Sequence, residues 1–180
     1  MKTMNYPAYI LLVALALACG GGGETEAPPE TEKPAAPEPQ REKKATLCDL
    51  VPEEDVSSAF GGKLNVAAIS TADEFNCLYD LGLGSGEPLD GAQLIVHKVQ
   101  PVMFEAEKEQ YEGKDNYEAL AGVGRDAHVL NQAQVNVLVD DETAIRVGLM
   151  LITMGEEPPL AKEEARAGVI ELATRLAEKV

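Results

Sequence analysis

Three cysteines and two histidines are the side chains in this sequence with the most specific chemistry. Cys19 ends an apolar run, whereas Cys48 and Cys77 stand in separate segments further along the chain. His97 and His128 each lie in a stretch of alternating apolar residues. A thiol can be acylated, oxidised to a disulfide or bound to a metal, and an imidazole can act as a base or a metal ligand. The elements that hold each residue decide between these outcomes.

The N-terminal residues predict an export signal that ends just before Cys19. Residues 1–7 carry one positive charge, Lys2, and an apolar run follows at residues 8–18. This layout is that of a secretory signal. The run is too short for a membrane-spanning helix, which needs about 20 residues. Small residues before the cleavage point suit the narrow pocket of a signal peptidase, and Cys19 would then offer its thiol for acylation.

The segment Ala16-Leu17-Ala18-Cys19 resembles the lipobox of bacterial lipoproteins, although Ala16 stands where leucine is usual. An ordinary signal peptide with an unrelated cysteine is the alternative. The resemblance implies a diacylglycerol on the Cys19 sulfur, and two or more acyl chains hold a protein stably on a membrane. Because Gly20 rather than Asp follows Cys19, the same resemblance implies the outer membrane of a Gram-negative cell, on its periplasmic or surface side.

Residues 19–45 predict a disordered tether. A glycine run at residues 20–23 is followed by prolines scattered among Glu and Lys. A segment with almost no large apolar residue cannot offset the entropy lost on ordering, and its prolines favour locally extended polyproline II. We therefore divide the chain into a signal peptide at 1–18, a lipidated cysteine with its tether at 19–45, and one α+β domain at 46–180.

The charge of the chain excludes one class of partner. The sequence has 31 acidic residues against 15 Lys and Arg, a net charge of −16 at neutral pH. Nucleic acids are bound by neutralising phosphates with basic side chains, so a nucleic-acid partner is excluded. The predicted partners are the membrane, through the lipid anchor on Cys19, and an unidentified protein of the cell envelope.

Cys48 and Cys77 predict one disulfide bridge. If Cys19 is acylated, an even pair of thiols remains in an exported protein, where disulfides persist. A zinc site is one alternative, but zinc usually takes four ligands with local cysteine spacing, and neither His97 nor His128 stands near a cysteine. A redox pair is another alternative, disfavoured because the sequence has no Cys-x-x-Cys motif.

The apolar pattern predicts helices and strands in alternating groups. A short helix after Pro52 precedes three strands, a polar helix from Pro101 to Glu112, three more strands and a helix that runs to the C terminus. Short turns imply an antiparallel sheet. We expect an α+β fold with about six strands and the helices on one face. The order α-βββ-α-βββ-α suggests an internal duplication. The second group of strands is predicted at Asp126–Leu130, Gln134–Asp140 and Ala144–Leu151.

Four short segments of the domain share features with known proteins: Cys48–Val56, Phe60–Gly62, Asn76–Tyr79 and Gly122–Val129. Together they resemble small bacterial lipoprotein families of unknown function. Those families pair a cysteine before the first helix with a cysteine in a following strand. The resemblance spans most of residues 48–180 and implies an α+β fold with one disulfide. It implies no activity.

The residues that could carry catalysis lack the partners that catalysis needs. His97 and His128 have the pattern of core or rim residues on strands, and no Gly-x-Ser-x-Gly elbow is present. The glycines at 82–86 lack the lysine and helix of a phosphate loop. Acidic clusters such as residues 140–142 lack the spaced oxygens and glycine of an EF-hand. We therefore predict no catalytic residue, no metal ligand and no cofactor.

These observations favour a membrane-anchored, non-enzymatic binding or accessory module of the cell envelope. A small-ligand or cation binder is the alternative, with a pocket expected beneath residues 82–91. A hydrolytic enzyme is the least favoured function, because it would need a nucleophile beside one of the two histidines.

Overall fold

The described part of the chain, residues 45–152 and 157–180 of a computed structural model, combines one antiparallel sheet with three α-helices. The predicted α+β class is therefore confirmed. Cys19, the predicted signal peptide and nearly all of the predicted tether lie outside the described residues. In chain order the elements are a 3-10 turn (Leu47–Leu50), α1 (Glu53–Ala59), β1 (Leu64–Ala72), β2 (Asn76–Leu83), β3 (Pro88–Val99), α2 (Pro101–Tyr111), β4 (Tyr117–Ala119), β5 (Asp126–Leu130), β6 (Gln134–Leu138), β7 (Ala144–Leu151) and α3 (Lys162–Ala177).

The strands form two meanders that meet in the middle of the sheet. The order is β1-β2-β3-β7-β6-β5-β4, and each neighbouring pair is antiparallel. The described sheet has seven strands where about six were predicted. The strand that the sequence pattern missed is β4, which is only three residues long and therefore shows no recognisable alternation. Each meander follows one helix, so the internal duplication stays a prediction.

One face of the sheet carries the main core. Side chains alternate along a strand, so the paired positions Cys77, Val96, Val147 and Val135 share this face across four strands. Burying a Val or Leu side chain contributes about 1.5–3 kcal/mol, which fixes the register of the strands. Helix α3 covers this face with an apolar stripe. The buried members of that stripe are Ala165, Val169, Leu172 and Leu176.

Helix α2 lies on the opposite face from α3. Its Phe104 is buried against Leu138 and Ala144. These two residues pair across β6 and β7, whereas their neighbours Val137 and Ile145 point into the main core. Because successive residues of a strand point to opposite faces, the prediction that the helices cover one face is wrong for α2. The helix buries one side chain, too few to show in sequence which face it covers.

Helices α1 and α3 approach each other closely at Gly168. A Cβ on this residue would overlap the ring of Phe60, which caps α1. Asp55 of α1 also accepts hydrogen bonds from Lys179 (2.9 Å) and Arg175 (2.8 Å). The bond from Lys179 is the largest cause that lowers the pKa of the Asp55 carboxyl. The glycine therefore serves the close helix contact, although glycine inside a helix costs about 1 kcal/mol relative to alanine.

Replacing Gly168 by alanine should destabilise the protein, against the trend of helix propensity. Overpacking of a well-filled contact costs about 1–3 kcal/mol, which exceeds the propensity gain. Urea unfolding of Gly168→Ala should show this loss. Ala167→Gly, at the exposed neighbouring position of α3, should lose about 1 kcal/mol from propensity alone. A more stable Gly168→Ala would show that the contact with Phe60 relaxes freely.

Candidate functional site

Cys48 and Cys77 form a disulfide bridge, as predicted. Their Cα atoms are 5.1 Å apart, and the bridge joins the turn before α1 to the beginning of β2. Cys77 is fully buried and Cys48 nearly so. Both thiols are consumed in the bridge, so neither is available as a zinc ligand. The predicted lipidation site, Cys19, lies in the part of the chain that the structure does not describe, and its acylation stays a prediction.

Both histidines belong to one row of polar residues on the α2 face of the sheet. The register places Asn76, His97, Arg146, Asn136 and His128 side by side across β2, β3, β7, β6 and β5. We call these five residues the polar row. Sequence reasoning placed both histidines on strands, but it could not show that five polar side chains from five strands are aligned.

The hydrogen bonds of the polar row fix the protonation of His128. Arg146 Nε donates to Asn136 Oδ1 at 2.8 Å, so the Asn136 amide nitrogen faces His128 Nε2, at 3.1 Å. Because an amide nitrogen can only donate, His128 Nε2 accepts and the ring proton sits on Nδ1. That Nδ1 has no hydrogen-bond partner among the described residues, and His128 is fully buried. An unsatisfied buried donor costs about 1–3 kcal/mol.

The surroundings of His128 favour its neutral form. Its ring lies between Phe104 and Tyr117, with ring centroids 4.9 and 5.1 Å away. Burial lowers the pKa of His128 and outweighs the nearby carboxylates. Arg146, the cation next in the row, is itself paired with Glu107 of α2. The charged groups that act on His128 are Glu107 and Lys108 of α2, Asp126 of β5 and Arg146 of β7.

His97 has the same tautomer for a similar reason. The Asn76 amide nitrogen donates to Asp73 at 3.1 Å, which leaves Asn76 Oδ1 facing His97 Nδ1 at 2.6 Å. An oxygen acceptor at this distance requires the proton on Nδ1. Burial is the main cause that lowers the pKa of His97, followed by the charge of Arg146. Both histidines are therefore neutral at neutral pH.

The polar row holds the sheet together but lacks the parts of a hydrolytic centre. Within the described residues, each histidine hydrogen-bonds to an asparagine and to no Ser, Thr or Cys nucleophile. A general base needs a nucleophile within hydrogen-bond reach. No group of three or more His, Cys, Asp or Glu in that part of the chain is placed to hold a metal ion. The polar row can attach α2 to the sheet and keep both imidazoles neutral.

The two lowered histidine pKa values predict a loss of stability in mild acid. As the pH falls through about 6.5, unfolded chains take up protons that the folded protein resists, so folding is increasingly disfavoured. The free energy of unfolding should therefore decline from about pH 7 to about pH 5, by at most about 1.4 kcal/mol per pH unit for each histidine. Urea unfolding over this range measures the slope.

Single-residue variants show which histidine causes the fall of the unfolding free energy with pH. His97→Gln and His128→Gln should each remove part of the pH dependence, whatever they do to stability at neutral pH. The carboxyl groups of Asp55, Asp73 and Asp140 have lowered pKa values and act at lower pH. If both variants retained the full slope between about pH 7 and about pH 5, another group would be responsible.

A groove of about 790 Å³ lies between one end of the sheet and the beginning of α3. Its floor is apolar and comes from Val129 and Leu149 of the sheet and from Leu160 and Ala165 on the helix side. All four belong to the main core. Small-molecule sites typically measure roughly 300–1,000 Å³ and have mainly apolar walls. The groove has this size, with a small apolar area at its floor and eight polar or charged residues among the fifteen that line it.

The rim of the groove is polar and carries both signs of charge. Lys162 and Arg166 stand on the α3 side, whereas Asp115 and Glu118 stand beside β4. Arg166 donates to Glu118 at 2.6 Å, so these two charges compensate each other. Lys162 has no ion-pair partner within the described ranges. The α3 side of the rim therefore offers one uncompensated cation.

The β5–β6 turn at the same rim has an unfavourable backbone conformation. Ala133 N donates to Leu130 O at 3.3 Å, and the two residues between them have positive φ angles, 52° at Asn131 and 65° at Gln132. This is a type I′ turn, for which Asn-Gly is the preferred pair. Glycine would adopt the second position without strain, whereas a residue with a Cβ pays roughly 1–2 kcal/mol. Both residues line the groove.

The glycine-rich segment at 82–91 is shorter than expected and does not line the groove. Gly82 belongs to β2 and Pro88 begins β3, so only residues 84–87 connect the two strands. The groove is lined by residues between 115 and 166, none of them from 82–91. The groove therefore lies elsewhere than the pocket that the sequence predicted beneath residues 82–91.

Comparison with protein-family models, with curated proteins and with solved structures returns no match to this chain. None of the helices in the described part combines the length and hydropathy needed to cross a membrane. The resemblance to small lipoprotein families of unknown function therefore stays a prediction from the sequence.

Proposed function

We propose that this protein is an exported, lipid-anchored binding module of the bacterial cell envelope, without enzymatic activity. The groove of about 790 Å³ beside α3 is the observation that carries the binding role. Its volume is that of a small-molecule site, and its lining offers both apolar and charged side chains to a ligand. In the polar row, by contrast, each histidine is hydrogen-bonded to an asparagine.

The anchor in this proposal is the acylated thiol of Cys19. Its support is the short apolar run that ends at Ala18 and the resemblance of residues 16–19 to a lipobox. The disulfide between Cys48 and Cys77 adds to that support, because such bridges persist in oxidising compartments. Residues 19–45 would then separate the domain from the membrane surface as a flexible spacer.

Mass and membrane partition of two chains test the anchor. The unaltered chain should lose residues 1–18, gain the mass of acyl groups and sediment with membranes. The Cys19→Ala chain should gain no acyl mass and remain in the soluble fraction. If the unaltered chain is soluble and unacylated as well, the anchor is disproved and the protein is a free secreted domain.

A protein partner in the envelope is a second way for the domain to act as a binding module. The exposed side chains of Val102 and Met103 at the beginning of α2 favour this role, since they leave apolar surface in water. Pull-down from detergent-solubilised envelopes should recover a partner with the full chain. A tether-only chain serves as the control, and equal recovery by both would contradict the partner.

A further inference from the structure

We propose that the groove beside α3 binds an amphiphile with an aliphatic body and one carboxylate head. This inference rests on the binding role proposed above and specifies the ligand class. The body is assigned by the floor, where Val129, Leu149, Leu160 and Ala165 present carbon atoms from two sides. Each methylene removed from water contributes to binding in proportion to its area, so an unbranched chain of several carbons suits this floor.

The charge of the head group is inferred from the charged residues at the rim of the groove. Lys162, Ala165 and Arg166 are the residues of α3 that line the groove, and both ionisable members of this set are cations. Glu118 pairs with Arg166, so among the described residues Lys162 is the cation on this side without an ion pair. Lys162 sets this sign rather than the helix dipole, since Glu163 and Glu164 already stand in the first turn of α3. A carboxylate therefore belongs on the α3 side.

Asp115 makes the opposite side of the rim unfavourable for that head. It lies at the β4 end of the groove with Asn116 and Tyr117. A carboxylate placed there would meet a like charge, whereas the aliphatic body would not. We therefore expect the head of the ligand beside Lys162 and not beside Asp115. An ammonium head would prefer the reverse orientation, beside Asp115.

Gln132 has a backbone conformation at the rim that costs stability and places its side chain beside the groove. It stands at the rim with a φ of 65° at a turn position that favours glycine. Strained backbone of this kind clusters at ligand sites, where the side chain is needed in one place. We assign to its amide a hydrogen bond to the ligand head, which glycine could not supply.

Three eight-carbon probes test the ligand class by calorimetric titration. The protein is the full-length chain with Cys19→Ala, which carries no acyl group of its own and requires no detergent. Octanoate should bind at least tenfold more tightly than octylammonium, and octanol should lie between them, because the three share one chain and differ in head charge. Equal affinity for octanoate and octylammonium, or no binding of octanoate, would overturn the inference.

Variants at the rim test the assigned contacts. Lys162→Glu should weaken octanoate binding at least tenfold and reduce the preference over octylammonium, whereas Lys162→Arg should retain both. Lys98→Glu makes the same charge change at an exposed position outside the groove and should leave binding unchanged. An unaltered affinity in Lys162→Glu would contradict the location of the head.

Gln132→Gly separates ligand binding from stability. Relief of the strained turn should raise the melting temperature by about 2–4 °C, while octanoate affinity falls. A variant that is stabilised but binds as before would disprove the role of the amide. Membrane partition of the unaltered chain measures the anchor separately. If octanoate does not bind but the unaltered chain sediments with membranes, the proposed ligand is rejected and the anchor is retained. If octanoate binds but the unaltered chain does not associate with membranes, the anchor is rejected and the ligand site is retained.

Discussion

Replacing both Cys48 and Cys77 by alanine should lower the free energy of unfolding by about 3–4 kcal/mol. The bridge closes a loop with a sequence separation of 29 residues, and a cross-link of this span removes many conformations from the unfolded chain. Native proteins of this size are stable by only about 5–15 kcal/mol, so the loss is a large part of the total. Urea unfolding of the double variant under oxidising conditions measures it.

The disulfide also restrains the buried turn at Leu47–Leu50, which should become more mobile in the double cysteine variant. Tyr79 of β2 donates from its hydroxyl to the backbone carbonyl of Val51, next to the turn that carries Cys48. Burial raises the pKa of Tyr79 to about 12, so this donor keeps its proton. Without the bridge, the turn Leu47–Leu50 remains attached to β2 through this hydrogen bond and apolar packing. We therefore expect faster amide exchange there than in β7.

Reduction provides the matched control for this prediction. Adding a thiol reductant to the unaltered protein should reproduce the loss of stability seen in Cys48→Ala with Cys77→Ala. The same reductant should leave the double variant unchanged. If the double variant lost less than about 1 kcal/mol, the unfolded chain would already be compact enough to make the cross-link redundant.

The sequence pattern predicted those features of the fold that depend on local periodicity. The strand at Ala144–Leu151 has the predicted bounds, and a long helix lies near the C terminus as predicted. Both are long or regular enough for alternation or helical spacing to be read directly. Strand β4 is not, and the side on which α2 packs depends on the single contact of Phe104. That contact is set by tertiary packing, which a local pattern does not encode.

The candidate sites depended even more on long-range pairing. The polar row joins residues from position 76 to position 146, and their alignment follows from the register of five strands. The groove is assembled from the β5–β6 turn, the end of β7 and the start of α3. The sequence did carry one usable signal, the pair Asn131-Gln132 between two apolar strands. Three residues, 131–133, connect these strands; Asn tolerates the left-handed backbone conformation, whereas a following non-glycine residue in the same conformation indicates strain.

The second large effect is expected at Asn136, in the middle of the polar row. Asn136→Leu should lower the free energy of unfolding by about 2–4 kcal/mol, because it removes a hydrogen-bond partner from the buried His128 and from the half-buried Arg146. Arg146 Nε loses its 2.8 Å acceptor, and His128 Nε2 loses the donor 3.1 Å away. His128 would then have neither ring nitrogen paired, since its Nδ1 has no partner among the described residues. Urea unfolding at neutral pH measures the loss.

Asn136→Asp separates the hydrogen-bond pattern from the shape of the side chain. A carboxylate accepts from Arg146 as the amide oxygen does, but it cannot donate to His128. His128 must then carry a proton on Nε2, and the nearby negative charge favours the imidazolium. We therefore expect the pKa of His128 to rise from below 6.5 in the unaltered protein to above it in the variant.

Nuclear magnetic resonance of the imidazole distinguishes the two states. In the unaltered protein, the chemical shifts of the His128 ring should report a neutral ring with its proton on Nδ1 at neutral pH. In Asn136→Asp they should report a proton on Nε2, and the part of the acid-induced loss of stability that comes from His128 should reverse its sign. His97 is a control within the same chain, since its tautomer is fixed by Asn76 and Asp73. If His128 had its proton on Nε2 in the unaltered protein, the direction assigned to the Asn136 amide would be wrong.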